Sequence, residues 1–402
     1  MGREGSVVDA GARTGAPAGT GAAAAAVVET GLARLVRERF ASLAGTTVAV
    51  LTHPAAILPD ATHAVDALVD GGVDVRALLG VEHGVRGSAQ AGLSETAPVD
   101  PGTGLPVVDT YALETEEVAS RLSALGVETI LVDLQNCGAR FYTYESSMHD
   151  MIRAATLCGA RVLVLDRPNP IGGLAVDGPV LEPGHASFVG RAPIAVRHGL
   201  TMGELARVFA AHLGAPEPEV VPMSGWRREL LFDQTGLPWV APSPNLPTLS
   251  CALVYPGTCL FEGTAISEGR GTTTPFELLG APWMDGAWAR DLRAAGLPGV
   301  VFREAYFAPV SGPYAGSMCC GVQLHVTDRL AFDPLRTALW MLVTAWRRWP
   351  EEVGFTASFE LLAGTHRIRD GILEGLGADE MAEAWRSQAA AFRASCESIL
   401  IY

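Results

Sequence analysis

The sequence is poor in cysteine and basic charge, and it lacks any long apolar run. Its seven cysteines (137, 158, 251, 259, 319, 320 and 396) are odd in number, scattered through 402 residues, and form no CxxC pair. Neither a disulfide framework nor a cysteine zinc site fits that spacing, so free buried thiols are expected. Lys and Arg total 29 against 44 Asp and Glu, a net charge of -15. A nucleic-acid partner is therefore not expected, because phosphate neutralisation needs a dense cationic surface. No apolar run reaches the roughly 20 residues a membrane-spanning helix needs, so no span is expected either.

Several catalytic signatures are also missing. A dinucleotide fold would carry G-x-G-x-x-G after its first strand, where this chain has His53, Pro54, Ala55 and Ala56. There is no Walker A pattern, no HExxH, and no G-x-S-x-G elbow. His53, His83 and His198 stand apart without metal-ligand spacing. No cofactor and no metal are expected.

What is present is a large potential core, with 49% hydrophobic residues over a length that favours two domains. Within the opening 1–27, residues 1–21 are rich in Gly, Ala and Thr, and the run Ala22 to Val28 is too short and too weakly preceded by positive charge for a signal peptide. A disordered tail is expected there, and a cytoplasmic location is favoured over secretion. Strand-like runs at 48–53, 75–84, 129–136 and 161–170 alternate with helical patterns at 62–70, 113–125 and 146–158. This order implies an α/β fold, a mostly parallel sheet with helices on both faces. Thr201 and Glu204 form a capping box for a helix that Gly214 closes. The domains are expected at 28–215 and 216–402, the second an α+β unit with strands at 302–307 and 321–326. Its helices should begin at Asp333-Pro334 and near Asp379.

In an open parallel sheet, ligands bind beyond the carboxyl ends of the strands. Four such ends carry Thr52-His53-Pro54, then Glu82-His83-Gly84, then Asp133 with Asn136 and Arg140, then Asp166-Arg167-Pro168-Asn169. Asp and Asn often only start turns, but their recurrence at successive ends points to one polar pocket. Carboxylates, arginines and amides without a metal suit a glycosidase, which pairs a carboxylic acid with a second carboxylate. Glu82, between an apolar run and Gly84, is the candidate acid; Asp133 or Asp166 could supply the second group. The loop 260–277 adds Glu262, Glu268, Arg270 and Glu277, three carboxylates and one guanidinium in 16 residues. Tyr142, Tyr144, Trp239 and Trp283 are candidate sugar platforms.

The segments GVEHGVRGSAQAG (80–92), DLQNCGARFYTY (133–144), LDRPNPIGG (165–173), VRHGLTMGELA (196–206), PSPNLPTL (242–249) and YPGTCLFEGTAISEGRGTTTPFELLGAPW (255–283) resemble those of NamZ-type exo-β-N-acetylmuramidases. The resemblance runs in order from about Leu43 to Tyr402. It implies a Rossmann-like domain and a smaller second domain with the active site in the cleft between them. It also implies removal of terminal, non-reducing β-linked N-acetylmuramic acid from peptidoglycan fragments or muropeptides. Glu82 of the EHG segment carries over as catalytic acid. His83, Arg86, Asn136, Arg140, Tyr142, Arg167, Asn169, Glu262, Glu268 and Arg270 are expected pocket members. Two positions depart from the family pattern: Asn136 stands where Asp is usual, and Ala265 where Asn is usual. A muramic acid site should hold a cation for the lactyl carboxylate, with Arg86, Arg140, Arg167 and Arg270 as candidates.

Overall fold

Short β-branched runs become strands and the amphipathic segments between them become helices. The computed structural model describes residues 27–94 and 97–402, so the expected tail lies almost wholly outside the described residues. Along the chain come α1 (Gly31–Arg37), β1 (Thr47–Thr52), α2 (Ala64–Asp70), β2 (Asp74–Gly80), β3 (Val107–Asp109), α3 (Thr115–Ala124), β4 (Thr129–Asp133), α4 (Thr143–Cys158) and β5 (Arg161–Leu165). A short hairpin, β6 (Asp177–Val180) and β7 (Ala195–Arg197), precedes α5 (Met202–Leu213) and β8 (Glu219–Val221). Strands pair in the order β3-β2-β1-β4-β5-β8, all parallel.

Alternation along each strand decides what lies on either face. Val48, Val50, Leu78, Leu131 and Leu163 pack with Leu32 and Leu35 of α1 and Val65 and Leu68 of α2. Their sequence neighbours Ala49, Leu51, Leu79, Ile130 and Val164 point the other way, onto Val118 of α3, Met148 and Ile152 of α4 and Leu205 of α5. Each buried Val, Leu, Ile or Met side chain among these contributes about 1.5–3 kcal/mol. Gly31 has to be glycine: a Cβ there would stand 2.5 Å from Asp166 N and Val221 O, where α1 crosses β5 and β8.

The second unit holds α6 (Leu249–Thr258), β9 (Leu278–Ala281), α7 (Ala287–Ala294), β10 (Val300–Phe307), β11 (Cys319–Val326), α8 (Pro334–Arg348), α9 (Ala357–Ala363), α10 (Arg367–Glu374) and α11 (Ala378–Cys396). Its sheet is antiparallel in the order β10-β11-β9. The expected capping box on α5 and the Asp333 cap on α8 both form. All seven cysteines are free, Cys158 half-buried and the rest buried. Among the described residues, no helix is long and apolar enough to cross a membrane.

The division expected at 215/216 precedes β8, which belongs to the parallel sheet. The chain end also returns to that sheet. Tyr402 OH donates to Asp166 Oδ2 at 2.9 Å and accepts from Met223 N at 2.7 Å, while Ile401 N donates to Glu204 Oε1 at 2.9 Å. Asp166 further accepts from Thr201 Oγ1 and Gly203 N, both at 2.8 Å, and from Arg167 N at 3.0 Å.

Burial pushes the Asp166 carboxyl up to about 6 despite these donors. A carboxyl raised on folding adds stability that is full below its unfolded value near 4 and is lost as pH rises through the folded value. Urea unfolding from pH 4 to 7 should therefore show wild type losing about 3 kcal/mol relative to Asp166→Asn over this window. Equal pH slopes in the two proteins would contradict the assignment.

Candidate active site

A cleft of about 630 Å³ opens between the two units. The sheet unit contributes Glu82 and His83 from the turn after β2, and Thr143 from the first turn of α4; the segment leading into α6 contributes Asn245, and the second unit contributes Glu262 and Arg270. A larger groove of about 950 Å³ lies elsewhere, along 171–177, 329–336 and 379–393. Of its arginines, Arg228, Arg336 and Arg386 are paired with Glu204, Asp379 and Glu383, and neither Glu82 nor any residue of the 260–277 loop lines it. The chemistry favours the smaller cleft.

Glu82 is placed by a tight turn. His83 and Gly84 both take left-handed backbone, φ 72° and 81°, a conformation that glycine adopts freely and histidine more readily than most residues. The His83 amide donates to Leu93 O at 2.9 Å, and its ring Nδ1 donates to Ala89 O at 3.1 Å. These bonds fold residues 83–93 back over the turn, so that Gly92 N donates to Glu82 Oε1 at 2.7 Å. Thr143 Oγ1 lies 2.6 Å from Glu82 Oε2. An amide can only donate, whereas a hydroxyl donates or accepts. Thr143 can therefore serve both the ionised and the protonated carboxyl, with the proton carried on Oε2.

The second unit lines the cleft with Glu262 and Arg270, and Glu268, buried behind them, completes a charged trio without itself lining the cleft. Arg270 Nε sits 2.6 Å from Glu268 Oε1, and its Nη2 bonds Glu262 Oε1. The guanidinium lies over the Phe276 ring at 5.3 Å. Burial raises the Glu268 carboxyl, with the neighbouring Glu262 adding to the effect; Glu262 and Glu268 in turn hold the Arg270 guanidinium up against burial. Glu268 Oε2 is buried with no hydrogen-bond partner among the described residues. Tyr142 and Tyr144 donate to the same Pro242 carbonyl at 2.9 and 2.8 Å, fastening the segment that carries Ser243 and Asn245 to the start of α4.

Other expected pocket members lie elsewhere. Asp133 is fully buried and bound bidentately by Arg167, whose Nη2 is 2.9 Å from Oδ2. Asp166 is bound to the chain end through Tyr402. Neither carboxylate lines the cleft. Arg86 is occupied by Asp66 and Asp100, both at 2.8 Å. Asn136 and Asn169 both donate to Leu200 O, at 3.1 and 3.0 Å. A carboxylate at 136 could not make that bond unless protonated, so Asn is suited to this position. Ala265 is held by backbone, its amide to Val353 O at 2.7 Å, and lies outside the cleft lining. Of the candidate platforms, Tyr142 lines the cleft, while Trp239 and Trp283 pack against Phe232 and Trp349. Among the described residues, no group of three His, Cys, Asp or Glu side chains could hold a metal.

Thr143, Asn245 and Tyr111 line the cleft without having stood out in the sequence. Asn245 lies inside the PSPNLPTL segment, which was the available signal. Thr143 carries no charge, and the helical pattern marked a start only at 146.

Residues 48–250 match the family model described as exo-beta-N-acetylmuramidase NamZ, N-terminal, and residues 253–402 match its C-terminal counterpart. The chain belongs to the NamZ family. Peptidoglycan beta-N-acetylmuramidase NamZ of Bacillus subtilis (strain 168) is 41% identical over 380 residues, covering 93% of this chain and 91% of that protein. Crystal structures of two DUF1343 family proteins from Bacteroides fragilis align with TM-scores of 0.86 and 0.76. Each is 30% identical and covers 93% of this chain and 99% of the other. The two NamZ models meet within α6, so the 242–246 segment falls to the N-terminal model and the Glu262–Arg270 wall to the C-terminal one.

The Asp133–Arg167 pair yields a stability prediction. Arg167→Met leaves a fully buried carboxylate unpaired and should destabilise by about 3–5 kcal/mol in urea unfolding, while Asp133→Leu combined with Arg167→Met should recover most of that loss. A single variant as stable as wild type would contradict a buried ion pair.

Proposed function

We propose that this chain is an exo-β-N-acetylmuramidase that hydrolyses terminal non-reducing N-acetylmuramic acid from peptidoglycan-derived saccharides, with Glu82 as general acid. The observation that carries the reading is the setting of Glu82: a half-buried carboxyl at a parallel strand end, facing the cleft of a NamZ family chain, with Thr143 able to accept its proton's hydrogen bond. In this reaction Glu82 gives its proton to the glycosidic oxygen, the bond from muramic acid C1 to that oxygen breaks, and water supplies hydroxyl to C1. The other water proton restores the acid. Glu262 is the carboxylate on the facing wall, well placed in chemical kind to support positive charge developing at the sugar ring.

Recognition of the lactyl carboxylate falls to Arg270, the one arginine lining the cleft among the described residues. Its bonds to Glu262 and Glu268 use Nη2 and Nε, which leaves Nη1 for a ligand.

Two measurements test this reading. Glu82→Gln should lower turnover of the natural disaccharide by roughly two to four orders of magnitude, and turnover of an activated phenolic glycoside much less, because a good leaving group needs little protonation. Equal losses on both would point to a nucleophile, a base or a binding group instead. Arg270→Met should cost muramic acid glycosides roughly 10- to 150-fold in kcat/KM, about 1.5–3 kcal/mol, while N-acetylglucosamine glycosides lose far less. Equal loss on both sugars would favour a hexosaminidase of other specificity, and no turnover of either by wild type would leave a binding protein.

A further inference from the structure

A second, smaller chamber of about 370 Å³ adjoins the cleft. Tyr111 and Phe188 line both spaces and pack edge to face at 5.4 Å, forming the neck between them. The floor is continuous through α4: Thr143 stands at Glu82, and Ser147, Asp150 and Met151 line the chamber. Spacings of four, seven and eight residues keep these positions on one helix face over about 12 Å of axis. The chamber lining comes from 110–118, 147–153, 188 and 191, all in the sheet unit, and none comes from the segments carrying Asn245, Glu262 or Arg270. It therefore extends away from the Arg270 wall on the side that carries Glu82.

Its walls are made for a polar, ring-shaped guest. Arg191 donates to Asp150 at 2.7 Å and lies 5.3 Å over the Phe188 ring, which holds a guanidinium and a carboxylate at the neck. Tyr111 is fixed from below, its amide donating to Asp109 Oδ1 at 3.1 Å. Flat aromatic faces beside hydroxyl, carboxylate and guanidinium groups complement a pyranose, which has apolar C–H faces and an equatorial rim of hydroxyls.

A general acid must face the leaving group, so the space beyond Glu82 is where the departing part of the substrate lies. Resting on the reading of Glu82 as general acid, we infer that the chamber behind Tyr111 and Phe188 is a leaving-side subsite for further β-linked amino sugars of a longer glycan. The enzyme would then engage more than the two sugars flanking the scissile bond.

The test compares kcat/KM on a p-nitrophenyl β-muramic acid glycoside, the muramic acid–N-acetylglucosamine disaccharide, and the tetrasaccharide that repeats it. Wild type should prefer the tetrasaccharide to the disaccharide by about tenfold. Ala112→Trp, which fills the chamber from an exposed position, and Arg191→Ala, which strips its wall, should each bring that ratio close to one. Equal rates of wild type on the two lengths, or a preference that survives in both variants, would overturn the subsite. A preference seen only when the tetrasaccharide carries stem peptides would assign the chamber to peptide and overturn it as well. The p-nitrophenyl glycoside separates the two readings: failure of wild type to cleave it refutes the muramidase reading, whereas cleavage without length preference refutes the subsite alone.

Discussion

The cleft depends on one buried cation. Arg140 is 1% exposed, and its guanidinium donates to Pro179 O at 2.9 Å, Ile194 O at 3.1 Å and Leu362 O at 2.8 Å. Those carbonyls belong to the β6–β7 hairpin region and to α9, so one side chain joins the sheet unit to the C-terminal helices. Phe141, Tyr142 and Thr143, which follow it, form one wall of the cleft, and Leu362 forms part of another. Burial pulls the guanidinium down to about 9, opposed by the charge of Glu145, and it remains a cation at neutral pH. Glu145 in turn accepts from His198 Nε2 at 2.9 Å. A buried cation without an ion-pair partner needs hydrogen bonds in place of water; here three carbonyls supply them through Nη1 and Nη2, and they come from both sides of the cleft.

Two kinds of charged residue therefore stand at the carboxyl ends of the strands. Those satisfied by protein, Asp133 with Arg167 and Asp166 with Tyr402, hold the fold; Glu82, bonded by an amide and a hydroxyl, keeps its face to the cleft. Both kinds arise from one topology, since a parallel sheet gathers every strand end on one edge. The second unit then brings an arginine between two glutamates opposite Glu82, a wall that the parallel sheet by itself does not provide.

This explains what was legible in the chain and what was not. Apolar runs disclosed four of the six parallel strands and the two-faced sheet, and Thr201 with Glu204 disclosed the α5 capping box, because those patterns are local; the three-residue edge strands β3 and β8 are too short to leave such a pattern. Glu82 stood out as a carboxyl between an apolar run and a glycine, and Glu262 and Arg270 as charge in a glycine-rich loop. Pairing was hidden: Asp133 and Arg167 are 34 residues apart, and Asp166 and Tyr402 are 236 apart. A strand-end carboxylate looks the same in sequence whether it meets a guanidinium or a substrate. Arg86 and Arg140 looked like ligand-binding cations for the same reason, and their partners are carboxylates and carbonyls brought in from distant segments. Thr143 lies inside the DLQNCGARFYTY segment, but a hydroxyl beside a tyrosine does not mark itself as a site residue, although its 2.6 Å bond to Glu82 is as close as the 2.7 Å bond from Gly92 that the turn itself provides.

The central claim is that this cleft removes muramic acid one unit at a time from the non-reducing end. Mass spectrometry of a reducing-end-labelled peptidoglycan glycan, sampled through the first turnovers, tests it most directly. The account requires free N-acetylmuramic acid as the first released sugar, with the labelled remainder shorter by that one residue. Internal oligosaccharides as first products, or release of N-acetylglucosamine from that end, would contradict it.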